Sequence, residues 1–235
     1  MLQVAFITGT SRGIGKEIAE LLLRQQYQVF GYSRTNTIQH PNFVFTRVDL
    51  SDLETVRAIK FPLFNKANVI LINNAARIGD ICPLNIKTSK SIINDYNLNI
   101  ITPTILCANF INSFNGSNKM IFNISSGAAN SAIPSWSTYC ATKASLDALT
   151  NVIAAEQHSD LKIYSISPGA VNTKMQEKIR ATHIDRFPLL DKFISYFEKN
   201  ELQNPTIIAE KLWYIIQNTN KFDQNFVLIR DIDIK

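Results

Sequence analysis

Thr8-Gly9-Thr10-Ser11-Arg12-Gly13-Ile14-Gly15 decides how this chain is built. Ahead of it, Leu2–Thr8 is a short apolar run suited to a strand buried on both faces. Behind it, Ile14, Ile18, Leu21 and Leu22 recur at helical spacing, which predicts a helix to about Gln26. A glycine-rich turn between strand and helix lets the backbone approach a pyrophosphate, and the helix N-terminus supplies oriented N–H donors. A lone GxxxGxG also merely joins strands to helices. It is the strand–turn–helix context that points to dinucleotide binding, with Gly9, Thr10, Ser11, Arg12, Gly13, Ile14 and Gly15 as the cradle.

The 2′ position of the adenosine ribose is legible too. Sites for NAD usually carry Asp or Glu about 20 residues past the glycines. Here no acid occurs between Glu20 and Asp49, and the second strand ends in Ser33-Arg34. Arg12 and Arg34 together suit a 2′-phosphate, which a carboxylate would repel, so the reading is NADP(H). Asp49-Leu50 follows the third strand, where a side chain reaches the adenine edge; Asp49 equally suits a turn or a helix N-cap.

Further out, strands are expected at 27–33, 42–48, 69–72, 120–124, 161–166 and 226–229. Between them come helices: a short one at 52–59, then 92–114 with Pro103 as a start or kink, 139–158, and 205–218. Residues 172–204 read as less regular. This alternation predicts an α/β fold, a Rossmann-type doubly wound parallel sheet of about seven strands in a three-layer sandwich. The whole chain, 1–235, reads as one domain, without repeat, low-complexity segment or linker.

Composition removes several classes. The chain is 46% hydrophobic and 18% charged, within the ordinary globular range. Its net charge of +5 comes from Lys and Arg residues that are never adjacent, a solvated surface and not a nucleic-acid stripe. No run approaches the roughly 20 apolar residues of a bilayer span, and the first apolar run, Leu2 to Ile7, is too short for a signal-peptide core. Cys82, Cys107 and Cys140 have no metal-ligand spacing, and His40, His158 and His183 form no triad. The expectation is a cytoplasmic, metal-free protein that binds neither membrane nor nucleic acid.

Tyr139 and Lys143 stand at i and i+4 near the start of a long helix, so they share one face. A free phenol, with pKa near 10, exchanges protons slowly around neutrality. A neighbouring ammonium is expected to lower that value, making Tyr139 an acid toward a carbonyl oxygen. Alone, Tyr-xxx-Lys is common on helix surfaces.

Its surroundings are more specific. Ser126 ends the fifth strand 13 residues before Tyr139. Asn73-Asn74-Ala75-Ala76 follows the fourth strand, Asn99 lies in a helix, and Pro168-Gly169-Ala170-Val171-Asn172-Thr173 follows the sixth strand. In order and spacing the whole chain resembles the short-chain dehydrogenase/reductase family. The resemblance implies Tyr139 as general acid/base, with Lys143 lowering its pKa and binding the nicotinamide ribose. It implies Ser126, rather than its neighbour Ser125, on the substrate carbonyl, and Asn99 holding a water that links Lys143 to solvent. Asn73, Ala75, Pro168, Gly169, Val171 and Thr173 would line the cofactor. One departure is Ala76, where the family usually has glycine.

Segments 135–140 and 171–176 resemble the sepiapterin reductase and benzil reductase branch, whose members reduce one carbonyl of a vicinal dicarbonyl. That likeness makes 173–204 a substrate lid, with Trp136 and Met175 as candidate substrate contacts, Trp136 being equally suited to packing. Asp231 and Asp233 align too loosely to take a role. Alternatives stay open: a 3-oxoacyl or hydroxysteroid-type reductase, or a catalytically silent NADP(H)-binding protein. Family members usually form homodimers or homotetramers through the helices beginning near Ile92 and Tyr139, and the same is expected here.

Overall fold

The computed structural model describes residues 1–64, 66–114 and 116–234. Among the described residues seven strands form a single parallel sheet: β1 (Leu2–Thr8), β2 (Gln28–Ser33), β3 (Phe43–Arg47), β4 (Ala67–Asn73), β5 (Asn118–Ile124), β6 (Leu161–Ser167) and β7 (Phe226–Leu228). Their order is β3-β2-β1-β4-β5-β6-β7. The chain thus runs outward from β1 to β3, then returns to the other side of β1 with β4. A crevice opens between the C-terminal ends of β1 and β4, where open parallel sheets bind ligands.

Both faces of the sheet are covered, so alternate residues of one strand enter different cores. From β1, Ala5 and Ile7 pack with Ile18 and Leu22 of α1 (Gly13–Arg24) and with Leu212 and Ile215 of α8 (Pro205–Gln217). Val4 and Phe6 enter the opposite core with Leu106 and Phe110 of α4 (Thr102–Ser113) and Ile153 of α5 (Ser137–Ala155). Phe6 is the hub of that side. Its ring lies 5.1 Å from Phe30, 4.8 Å from Phe61 and 5.6 Å from Phe114. The linker between β3 and β4 holds only the short α2 (Leu53–Arg57), capped by Asp52, whose carboxylate accepts from the Glu54 N–H.

Two expectations need correction. The helix expected at 92–114 begins earlier, as α3 (Ser89–Tyr96), and passes through a widened π-turn at Asn97–Ile101 before α4. Pro103 has no N–H to return to the Asn99 carbonyl, and a widened turn absorbs that lost bond without breaking the rod. Residues 172–204 are more regular than expected: α6 (Lys174–Arg180) and α7 (Leu190–Glu198) both form there. Each is short, and Pro188 interrupts the pattern between them, which hides their periodicity.

The three cysteines are free thiols, Cys82 and Cys107 buried and Cys140 half-buried. No helix among the described residues is long and apolar enough to cross a membrane.

Candidate active site

The glycine turn is built for close approach. Gly9 and Gly13 take φ of +77° and +57°, a left-handed conformation that glycine adopts without strain. A Cβ at Gly15 would lie 2.4 Å from the Gly9 carbonyl oxygen and 2.3 Å from the Asn74 side chain. A methyl group at Gly9 would press on Ala75 at 3.1 Å. The cradle is one that side chains would fill, and in that respect it fits a dinucleotide.

Thr8 and Asn74, which stand in the quoted motifs but receive no role from sequence reasoning, hold this crevice in shape. The Thr8 hydroxyl accepts from the N–H groups of Asn74 and Ala75 at 2.9 and 3.0 Å, while the Asn74 amide donates to the Thr8 carbonyl at 2.9 Å. Asn73 turns inward instead. Its amide donates to Asn123 at 2.9 Å, and Asn123 donates to Thr150 at 2.9 Å, so the Asn73 side chain belongs to the buried interior and does not face the crevice. Ala76 has no positive φ, which explains why alanine is accepted where glycine was expected.

Arg12 caps α1 in an extended conformation, and both it and Arg34 are exposed. Neither is in an ion pair with a carboxylate among the described residues. The turn is laced to β2 by Thr10 and Ser33, whose hydroxyls lie 3.5 Å apart, and to the following loop by Thr37, which donates to the Ser11 carbonyl at 3.0 Å. Asp49 is a turn residue and not the helix cap. Its carboxylate accepts from the N–H and hydroxyl of Ser51, which together hold its pKa below the usual range, with further help from the Arg34 charge. Leu50 is buried, its carbonyl accepting from the Thr102 hydroxyl at 2.7 Å.

Across the crevice, the segment after β6 comes back to the cradle. Thr173 caps α6 and lies 3.3 Å from where a Gly13 side chain would begin. Gly169 sits at φ +76°, Pro168 and Val171 are buried, and Val171 bridges to Gln203. Gln203 is another residue missed from sequence. Its N–H donates to Ala170, its carbonyl accepts from Asn172, and its side-chain amide donates to Pro168.

Ser126 ends β5 in extended conformation, its hydroxyl accepting from the Ala128 N–H at 3.2 Å. Neighbouring Ser125 is buried, and its hydroxyl has no partner among the described residues. Tyr139 and Lys143 lie on one face of α5, as their spacing requires, and both are buried. Their electrostatics differ from expectation. Burial pushes the Tyr139 phenol up to about 12; a hydrogen bond with Ser126 works against this, and Cys140 adds to it. Burial also pushes the Lys143 ammonium down to about 8, with Asp147 opposing. The lysine does not depress the tyrosine here, because its Nζ donates to the Ile124 carbonyl at 2.6 Å and sits 5.8 Å from the Tyr139 ring centroid.

The π-turn brings Asn99 inward against α5. Its side chain accepts from the Arg77 N–H and donates to the Arg77 carbonyl, each at 2.9 Å, and donates to Thr142 at 3.2 Å. Trp136 packs edge-on to Tyr139 at 5.6 Å and stacks on Phe187 at 5.5 Å, with Phe193 at 5.0 Å. Its indole N–H is buried without a partner. Met175 packs against the same cluster. An aromatic wall therefore closes over the phenol.

Comparison with known proteins agrees with this geometry. The short chain dehydrogenase family matches residues 3–184. Benzil reductase ((S)-benzoin forming) of Bacillus cereus is 31% identical, with 97% of this chain and 98% of that one covered. Sepiapterin reductase of Bos taurus is 29% identical over 92% and 90% of the two chains. Among solved structures, a short chain dehydrogenase/reductase from Saccharomyces cerevisiae superposes with a TM-score of 0.86 at 21% identity, covering 97% and 96%. The chain belongs to the short-chain dehydrogenase/reductase family, and it is an oxidoreductase acting on carbonyl and alcohol groups.

Proposed function

We propose that this protein is an NADPH-dependent carbonyl reductase that acts on one carbonyl of a vicinal dicarbonyl, of the benzil or sepiapterin kind. The observation that carries the reading is geometric: Tyr139 and Lys143 share one buried face of α5, with Trp136 packed edge-on to the phenol ring and Ser126 beside it. When bound, the reduced nicotinamide supplies the hydride that the carbonyl carbon receives. Tyr139 then donates its proton to the carbonyl oxygen, and Ser126 hydrogen-bonds the same oxygen. Lys143 would hold the nicotinamide ribose and stabilise the phenolate left behind. Asn99 keeps the widened turn against α5 for a water that links Lys143 to solvent.

Preference for NADP(H) is supported by Arg12 and Arg34, exposed and without a carboxylate partner among the described residues, and by an Asp49 carboxylate already engaged by Ser51. The remaining cradle residues, Gly9 to Gly15, Ser33, Leu50, Ala75 and the 168–173 segment, would line the cofactor. Segment 173–204 would act as substrate lid on the single domain, with Trp136 and Met175 against the substrate. A soluble cytoplasmic homodimer or homotetramer completes the reading, supported by exposed apolar Ile93 and Tyr96 on α3 and Val152 on α5. The test is NADPH consumption with benzil, diacetyl and sepiapterin, each compared with NADH. A protein that oxidises no NADPH with any of them does not have this activity.

A further inference from the structure

Asp95, in α3, is fully buried, and its carboxylate is shared among three other parts of the chain. Arg77 Nε lies 2.9 Å from one oxygen, while Lys87 Nζ lies 3.1 Å from the other. Onto that second oxygen the Thr138 hydroxyl also donates, at 2.6 Å. A carboxylate taken out of water is tolerated only with compensation of this kind. The Lys87 side chain is itself fully buried and donates in addition to the Asp80 carbonyl at 2.7 Å.

The network has two ends. On one, Thr138 is the residue before Tyr139, in the first turn of α5. That turn has no side-chain cap of its own: Trp136 at the N-cap makes no capping bond, and Ser135 before it stands at φ +68°. Its first turn is therefore held from outside, by Asp95. On the other end, the loop 77–82 lies directly on the carboxylate. A Cβ at Gly79 would fall 2.2 Å from Asp95 Oδ2, and Gly79 takes φ +69°. The Gly79 carbonyl accepts from Lys178 of α6, in the segment over the site, at 2.6 Å. From lid to loop to carboxylate to the turn bearing Tyr139, the path is continuous.

We infer that Asp95 is a positioning residue, which sets the first turn of α5 through Thr138 and couples it to the lid through the loop 77–82. The inference rests on the reductase reading for its kinetic consequence, but not for its structural one. Displacement of a catalytic group by a fraction of an ångström to an ångström reduces turnover sharply.

The experiment compares Thr138→Val, Thr138→Ser and Asp95→Asn with wild type. It follows kcat and KM for a dicarbonyl at saturating NADPH, and amide hydrogen exchange by mass spectrometry. Thr138→Val is expected to lower kcat by about tenfold or more, with Thr138→Ser restoring it to within about twofold. In Asp95→Asn, amides of 77–82 and 136–140 are expected to lose protection together; should that variant not fold, Thr138→Val carries the same measurement. Wild-type kcat in Thr138→Val, or faster exchange confined to one of the two segments, would overturn the coupling. A wild type that reduces no carbonyl sinks the reductase reading alone, and the paired exchange still decides on Asp95.

Discussion

Lys143 reaches past Tyr139 to the carbonyl of Ile124, at 2.6 Å, so the two buried groups perturb each other less than their burial perturbs each alone. The folded-state pKa of Lys143, about 8, lies below its ordinary 10.5. Between those values the unfolded chain holds the proton more tightly than the folded one, so stability rises with pH. Above pH 9 the opposite effect begins, because Cys107 and Tyr139, both raised to about 12, make the folded state the tighter proton holder. In denaturant titrations from pH 8 to 9, wild type should therefore gain about 1 kcal/mol relative to Lys143→Met. A flat difference would show that the lysine is not desolvated.

A phenol titrating near 12 is a proton donor throughout the neutral range. Carbonyl reduction should hold steady from pH 6 to about 8, whereas the reverse oxidation, which needs the phenolate, should climb with pH. Tyr139→Phe should lower kcat by about 10²–10⁴ with NADPH affinity retained, as read by cofactor fluorescence alongside turnover.

Gly15 has no room for a methyl group, with the Gly9 carbonyl and the Asn74 amide already at its Cβ position. Gly15→Ala should cost about 1–3 kcal/mol of stability and disrupt the cradle. Calorimetric titration with NADPH should show weakened binding in a protein that still folds.

Arg12 and Arg34 flank the end of β2 without carboxylate partners among the described residues. Charge-assisted hydrogen bonds contribute about 1.5–3 kcal/mol each, so Arg12→Ala and Arg34→Ala should each reduce kcat/KM for NADPH by about tenfold to a hundredfold. The value for NADH should barely move. Equal losses with both cofactors would mean the guanidiniums do not read the 2′ position.

Helix α6, part of the proposed lid, is tied to the loop 77–82 by Lys178 donating to Gly79. Lys178→Met should therefore raise KM for the carbonyl substrate several-fold, without altering the thermal midpoint by more than a degree or two. Unchanged KM would leave that hydrogen bond without a role in closure.

Much of this was legible in the sequence because local rules govern it. Buried strands of a parallel sheet are short apolar runs, and the glycine turn follows from steric need, so β1, α1 and the cradle could be read directly. Tyr139 and Lys143 share a face by helix geometry alone. What the spacing could not convey was orientation: that the ammonium turns to Ile124 and that burial raises the phenol depends on residues distant in the chain. Asp95 looks in sequence like any helix-surface acid, and its partner Thr138 is 43 residues away. The inward turn of the Asn73 side chain was hidden for the same reason, since its partner Asn123 is 50 residues distant. Helices α6 and α7 escaped because neither is long enough to display a period.

Gln203 fastens the chain where it leaves the sheet at 170–172 and where it returns before α8. The excursion between those points is in effect a closed loop with a zipped base, its two ends held to each other by main-chain hydrogen bonds. If that cassette is the substrate lid proposed above, substrate choice would diversify by exchanging it, while the cradle, the tyrosine and the sheet beneath stay as they are.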